Sequence, residues 1–315
     1  MAVAEQLPVH PQAGYFGAGP YPAHRTRVIV LAVLAGLALT ALWSASFVDS
    51  VIGDNVANTI LGHNAKATPI DGVVMGTIFA FVSGLAGSFT ACNIAAFGAV
   101  APLVGGEASG RRRFATTLKP LGWIAAGMLT VSIVYGVIVA LVGTSMPQFS
   151  TAQTSGLSAR SLQSMIAFGV IAIGFLVLGL ASLGVIGNPL GALTRRFPAT
   201  PLVVLGALIG GFLIGRPYPL FRIMFRDAAA SHNVLYGAAA FALQSLGNIV
   251  IMALLFLLLT HATGGRVQRW LAARPGRIAT VTGAALIVAG TFTLLYWDVR
   301  TLGRLGLIWF PAVGW

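Results

Sequence analysis

An all-α, polytopic membrane protein with about seven spans is the fold class this sequence predicts, and three observations carry it. Of 315 residues, 57% are hydrophobic and 8% charged, whereas a soluble domain carries roughly a quarter charged residues; mean hydropathy is +0.88. Seven apolar runs are long enough to cross about 30 Å of hydrocarbon. The 19 lysines and arginines lie in short clusters between those runs. They read as topology signals and not as a phosphate-binding face, so the net charge of +12 does not point to nucleic acid.

Residues 1–27 are rich in Pro, Gly and Ala without an apolar period, which predicts a disordered tail. The first run, 28–48, follows Arg25 and Arg27 like a signal peptide, but WSASFVDS after it and the long tail before it favour an uncleaved span. With its outer loop it makes a unit over 28–71. The other runs are 73–104, 121–142, 161–186, 201–225, 234–261 and 278–297. The second and fifth contain residues that a plain spanning helix avoids. Residues 299–315, where two arginines alternate with Leu, Ile, Trp and Phe, suit a tail lying on the membrane face.

Lysine and arginine mark cytoplasmic loops. A cytoplasmic N-terminus puts twelve inside, Arg25, Arg27, Arg111, Arg112, Arg113, Lys119, Arg195, Arg196, Arg266, Arg269, Arg274 and Arg277, against seven outside, Lys66, Arg160, Arg216, Arg222, Arg226, Arg300 and Arg304. The expected location is the plasma membrane, multi-pass, with the bilayer as first partner.

Spans two to four (72–200) and five to seven (201–298) can be laid over one another. Each triplet opens with a small-residue run that breaks at its middle: GLAGSFTACNIAAFGAVAP over 84–102 and GALIGGFLIGRPYPLFRIMF over 206–225. Both carry a Gly-small-Phe step, Gly87-Ser88-Phe89 and Gly210-Gly211-Phe212. Three spans per triplet set the copies in opposite orientation, which is the inverted repeat of many carriers, preceded here by one added N-terminal span.

These residues resemble the CcdA/DsbD-type transmembrane domain, known as the cytochrome c biogenesis protein transmembrane region, within the LysE-like group of exporters. Ser88-Phe89-Thr90-Ala91-Cys92-Asn93 stands where that family ends a broken helix in Ser-Pro-Cys, and Gly215-Arg216-Pro217-Tyr218-Pro219 stands at its Pro-Cys-x-Pro, with tyrosine replacing cysteine. The likeness extends over roughly 72–298. It implies thioredoxin-like or cytochrome-assembly proteins as partners and no cofactor. Family chemistry needs a second sulfur to resolve a mixed disulfide, and Cys92 is the single cysteine of this chain. An intramolecular dithiol relay is therefore excluded.

Cys92, next to Asn93, reads either as a small packing residue or as half of an intermolecular disulfide or soft-metal contact. Arg216 falls deep in the fifth run, where a guanidinium must be paired or face water, and Pro217, Tyr218 and Pro219 break the helix beside it. The segment is either a solute site in a cavity or the plain end of a helix. Gln244 and Asn248, at i and i+4, share a face and serve either as interhelical glue or as a pathway lining. HExxH, GxSxG and Walker A patterns are missing from the sequence, and no carboxylate falls inside the seven runs, which disfavours a proton-coupled pump. Two functions follow: a degenerate member of the thiol-redox and cytochrome c biogenesis pathway, not itself an autonomous enzyme, or a LysE-like exporter of a small solute or metal ion.

Overall fold

The computed structural model describes residues 21–44, 47–89, 111–150, 157–216, 218–262, 266, 270, 271, 273, 274 and 276–310, and among these every regular element is helical. The order is α1 (Arg25–Leu42), a π-turn (Val48–Gly53) running into α2 (Asp54–Leu61), α3 (Gly72–Ala86) with a 3-10 turn (Gly87–Phe89), then α4 (Arg111–Val142). After 3-10 turns at Gly143–Ser145 and Pro147–Phe149 come α5 (Ala159–Ser182), α6 (Gly191–Arg196), α7 (Thr200–Gly215), α8 (Pro219–Ser231), α9 (Val234–Ala262) and α10 (Arg277–Thr293). A second π-turn (Leu294–Val299) carries α10 into α11 (Arg300–Arg304).

Five stretches are long and apolar enough to cross a membrane: Arg25–Leu42, Leu118–Ser145, Ala159–Ser182, Val234–Leu258 and Arg277–Arg304. Helices α7 and α8 pass the same test together but are bent by 82°, and α3 is a shorter apolar helix. Each of the seven apolar runs thus holds a helix, while two run ends differ from expectation. The first helix stops at Leu42, where Trp43 turns extended. The last continues past Trp297 to Arg304, because the π-turn swings Asp298 into the protein and keeps it 8% exposed. Residues 300–304 are accordingly helix.

Side-chain sorting along α5 shows how apolar runs become a bundle. Phe168, Ile171, Phe175 and Leu178 are buried, whereas Leu162, Ile166, Val170 and Ile173 are all more than half exposed. In water such a face would drive aggregation; against lipid tails it costs nothing, and helix association then depends on close packing. Glycines supply that closeness. Gly84 lies against the backbone of Gln244 and Gly247 against the carbonyl of Phe81, which joins α3 to α9. Gly206 lies against the carbonyl of Ile124 and Gly127 against that of Val203, which joins α4 to α7. Gly136 and Gly237 face each other's carbonyls where α4 crosses α9, beside a Ser132–Ser245 hydroxyl pair at 2.5 Å. Gly179 and Gly290 admit Ile287 and the carbonyl of Ala172 between α5 and α10, and α1 packs on the far side of α10.

One end of the bundle gathers the start of α1, where Arg25 donates to the Gly184 carbonyl at 2.6 Å, the α5–α7 connection and the start of α10. The other end gathers the connections α2–α3, α4–α5 and α8–α9.

Candidate functional site at the α7–α8 break

Helix α7 stops at Gly215 for a local reason. A proline disfavours the helical region in the residue before it, and Arg216 and Tyr218 each precede one. Arg216 has φ −65° and ψ 119°, and Tyr218 has φ −55° and ψ 127°. Pro219 then opens α8 at the first helical position, where its missing N–H is no loss.

Such a break strands backbone carbonyls inside the protein, where an unmet acceptor costs about 1–3 kcal/mol. The Ile214 carbonyl takes Nε2 of Gln163 at 3.0 Å, the Tyr135 hydroxyl at 3.4 Å and Nε2 of Gln148 at 3.4 Å. Gln163 also donates to the Tyr135 hydroxyl at 2.9 Å, and Gln148 to Ser164 Oγ at 3.0 Å. A polar plug drawn from α4, α5 and the Pro147–Phe149 turn therefore seals the break.

Arg216 is spared that task and reaches across the molecule. It is 7% exposed, and its guanidinium donates to the Gly87 carbonyl at 2.5 Å. Gly87 is where α3, the described part of the second apolar run, gives way to its 3-10 turn. The break after α7 thus touches the end of α3. A Cβ on Gly87 would run into the Arg216 guanidinium, so glycine here makes room for the contact. The guanidinium also lies 5.3 Å from the centroid of the buried Tyr218 ring, whose hydroxyl end abuts Gly53.

The π-turn after α1 closes this cluster and adds a carboxylate. Burial pushes the Asp49 carboxyl up to about 6, against the pull of the Arg216 guanidinium; Asp54 adds to the rise and Lys66 opposes it. Lys66 is itself paired with Asp54 at 2.5 Å.

Below the 3-10 turn a polar seam continues. Ser88 donates to the Gly84 carbonyl at 3.0 Å and to Asn248 Oδ1 at 3.2 Å. Asn248 therefore bonds across to the opposite helix, as its position allows. Gln244, one turn earlier on α9, is fully buried, and its amide has no partner among the described residues; neither has Ser83 Oγ.

The structure brings Arg216, Tyr218, Pro219 and Asn248 to the α7–α8 break and the end of α3, with Gln244 alongside. Cys92, Asn93 and Pro217 lie outside the described residues. Sequence reasoning passed over Gln148, Gln163 and Tyr135, since a lone glutamine or tyrosine in a span gives no sign of the carbonyl it serves. It also gave no part to Asp49, which lies one residue past the first apolar run. A further correction concerns the last span, which carries Asp298 with Oδ2 unpartnered among the described residues. The argument against proton coupling from carboxylate-free runs therefore does not carry over. Among the described residues no three His, Cys, Asp or Glu side chains gather as a metal site. No protein-family model, curated protein or solved structure matches this chain.

Proposed function

We propose that the protein is a carrier for a small solute, built as an inverted repeat, with the meeting point of the two broken helices as its substrate site. The observation that carries this reading is the buried Arg216 guanidinium bonded to Gly87 at 2.5 Å. It places a fixed positive charge where helix breaks leave polar backbone inside the bundle, the arrangement on which carriers of this kind depend.

Packing supports the repeat. Each opening helix packs its glycines on the middle helix of the opposite triplet, α3 on α9 and α7 on α4; the middle helices α4 and α9 cross, and the third helices α5 and α10 pair. That set of contacts maps onto itself when the triplets are exchanged. The exchange is broken where α5 packs on α7 while α10 takes the added α1.

A guanidinium repels cations, so the favoured cargo is a solute bearing a carboxylate or similar acceptor, and the metal-ion form of the export reading falls behind. The alternative of a degenerate thiol-pathway member rests on Cys92. The end of the bundle with the most Lys and Arg faces the cytoplasm in this proposal.

Uptake into proteoliposomes of purified protein, with a panel of small carboxylates and zwitterions, tests the reading. Arg216→Gln should lower affinity by about 10- to 100-fold, the equivalent of one charge-assisted bond of roughly 1.5–3 kcal/mol, with unchanged size-exclusion behaviour. Cys92→Ser should leave transport intact. The reverse outcome, loss of function with Cys92→Ser alone, favours the thiol pathway.

A further inference from the structure

Three arginines at the end of the bundle away from Arg25 have no role in the site above. Arg160, in the first turn of α5, donates to the Ser150 carbonyl at 2.7 Å, and Arg222, on α8, donates to the same oxygen at 3.1 Å. Two guanidinium groups therefore crowd onto one acceptor. Arg226 follows one helical turn after Arg222, 6.0 Å from the Phe149 ring on the same connection. The Nε atoms of Arg222 and Arg226 are buried without a hydrogen-bond partner among the described residues.

Among the described residues no carboxylate forms an ion pair with this group. The chain has seven carboxylates, Glu5, Asp49, Asp54, Asp71, Glu107, Asp227 and Asp298; Asp54 pairs with Lys66, and Asp227 accepts from the Tyr236 hydroxyl. Lys66–Asp54 is the only ion pair among the described residues. Residues 151–156, which adjoin Ser150, read TAQTSG and contain no acid. Three like charges held together in this way are stable when an anion with several acceptor oxygens sits between them.

An apolar groove begins next to the same α4–α5 connection. It encloses about 760 Å³ between α4, α5 and α7. Pro147 and Ala159 line it, each within three residues of Ser150 or Arg160. Leu162, Ile166 and Val170, at i, i+4 and i+8, form one wall and are 51%, 59% and 61% exposed, and Ala207 and Leu208 belong to the opposite wall. From Ala159 to Ile171 the groove follows α5 for about 18 Å at 1.5 Å per residue, close to one leaflet of a roughly 30 Å hydrocarbon core.

We propose that this surface is a binding site for an anionic phospholipid, its phosphate held by Arg160, Arg222 and Arg226 and one acyl chain lying in the groove between α4, α5 and α7. The charge selects the headgroup class, and the groove, which opens sideways onto the apolar surface of α5, selects a lipid over a free anion. The proposal depends on the membrane reading and is independent of what is carried.

Thermal stability and native mass spectrometry of the full-length detergent-purified protein, titrated with phosphatidylglycerol, phosphatidylcholine or inorganic phosphate, test it. Phosphatidylglycerol should bind and raise the melting temperature, with affinity weakening as salt rises, while phosphatidylcholine and phosphate at the same concentration should not. Arg226→Gln, which removes only a contact with a ring, should weaken phosphatidylglycerol about fivefold, from roughly 1 kcal/mol per basic residue. Ala207→Trp should block the acyl chain and leave the arginines in place. Equal binding of phosphatidylglycerol and phosphatidylcholine, or an unchanged phosphatidylglycerol affinity in both variants, overturns the proposal. Full reproduction by inorganic phosphate replaces the lipid with a free anion and also overturns it.

Discussion

Two glycines in α3 and its 3-10 turn, one turn apart, make opposite predictions, because what a methyl group would meet differs. At Gly84 a Cβ falls on the backbone carbonyl of Gln244, which cannot move without separating α3 from α9. Gly84→Ala should therefore destabilise the fold by about 1–3 kcal/mol, the usual cost of overpacking, read as a lower melting temperature in detergent. At Gly87 the obstacle is the Arg216 guanidinium, the far end of a flexible side chain. Gly87→Ala should hold its melting temperature near wild type yet displace Arg216 and reduce solute affinity toward the Arg216→Gln level. Equal loss of stability in both variants would make the Arg216–Gly87 contact a structural tie alone. Asp49 adds a pH dependence at the same scale. Its carboxyl is held up at about 6, above the ordinary 3.8, so the folded protein binds a proton more tightly than the unfolded chain. Linkage then gives stability that is fully present below about pH 4 and lost as pH rises through about 6. Ionisation over the same window sets a carboxylate beside Arg216 and should weaken binding of an anionic solute. Asp49→Asn should flatten both profiles, measured as melting temperature and as affinity between pH 4 and 8.

At the scale of elements, the broken fifth run was legible in advance and its repair was not. Proline chemistry is local, so Arg216-Pro217-Tyr218-Pro219 announces the end of α7 in any context. The side chains that serve the Ile214 carbonyl come from 51 to 79 residues away, and no periodicity encodes that distance. The π-turns escaped for a related reason. Hydropathy ended the last run at Trp297 because Asp298 and Arg300 follow, yet the helix runs through both, with Asp298 turned inward and Arg300 lying 4.7 Å from the Tyr296 ring centroid. Which of the three donors matters most to the Ile214 carbonyl follows from geometry, since Gln163 sits at 3.0 Å and the other two at 3.4 Å. Gln163→Leu should cost about 1–2 kcal/mol of stability, while Gln148→Leu should cost less. Reversal of that order in thermal melts would mean that Gln148, through Ser164, is the main support of the break.

For the molecule as a whole, helix content and the number of apolar runs follow from composition, because a bilayer admits few other solutions for such a chain. Partner choice among the helices does not. It is set by glycines meeting particular carbonyls, Gly206 with Ile124 and Gly84 with Gln244, and the sequence marks those glycines without naming their mates. Orientation is the remaining whole-molecule property, and it rests on charge. Arg195 and Arg196 end α6 on the same end of the bundle as Arg25, and the α9–α10 connection on that end adds Arg266 and Arg274. The opposite end holds the paired Lys66 and the Arg160, Arg222 and Arg226 group. If the arginine group is neutralised by lipid phosphate and Lys66 by Asp54, the effective bias toward a cytoplasmic Arg25 end is stronger than the residue counts alone suggest. In a Cys92→Ala background, single cysteines at the exposed positions Leu193 and Thr68 report the two ends. An impermeant thiol reagent added to whole cells should label Thr68→Cys and spare Leu193→Cys until the membrane is opened. Labelling of Leu193→Cys in intact cells would invert the protein, and the Arg160, Arg222 and Arg226 group would then face the cytoplasmic leaflet, where anionic lipid is also to be found.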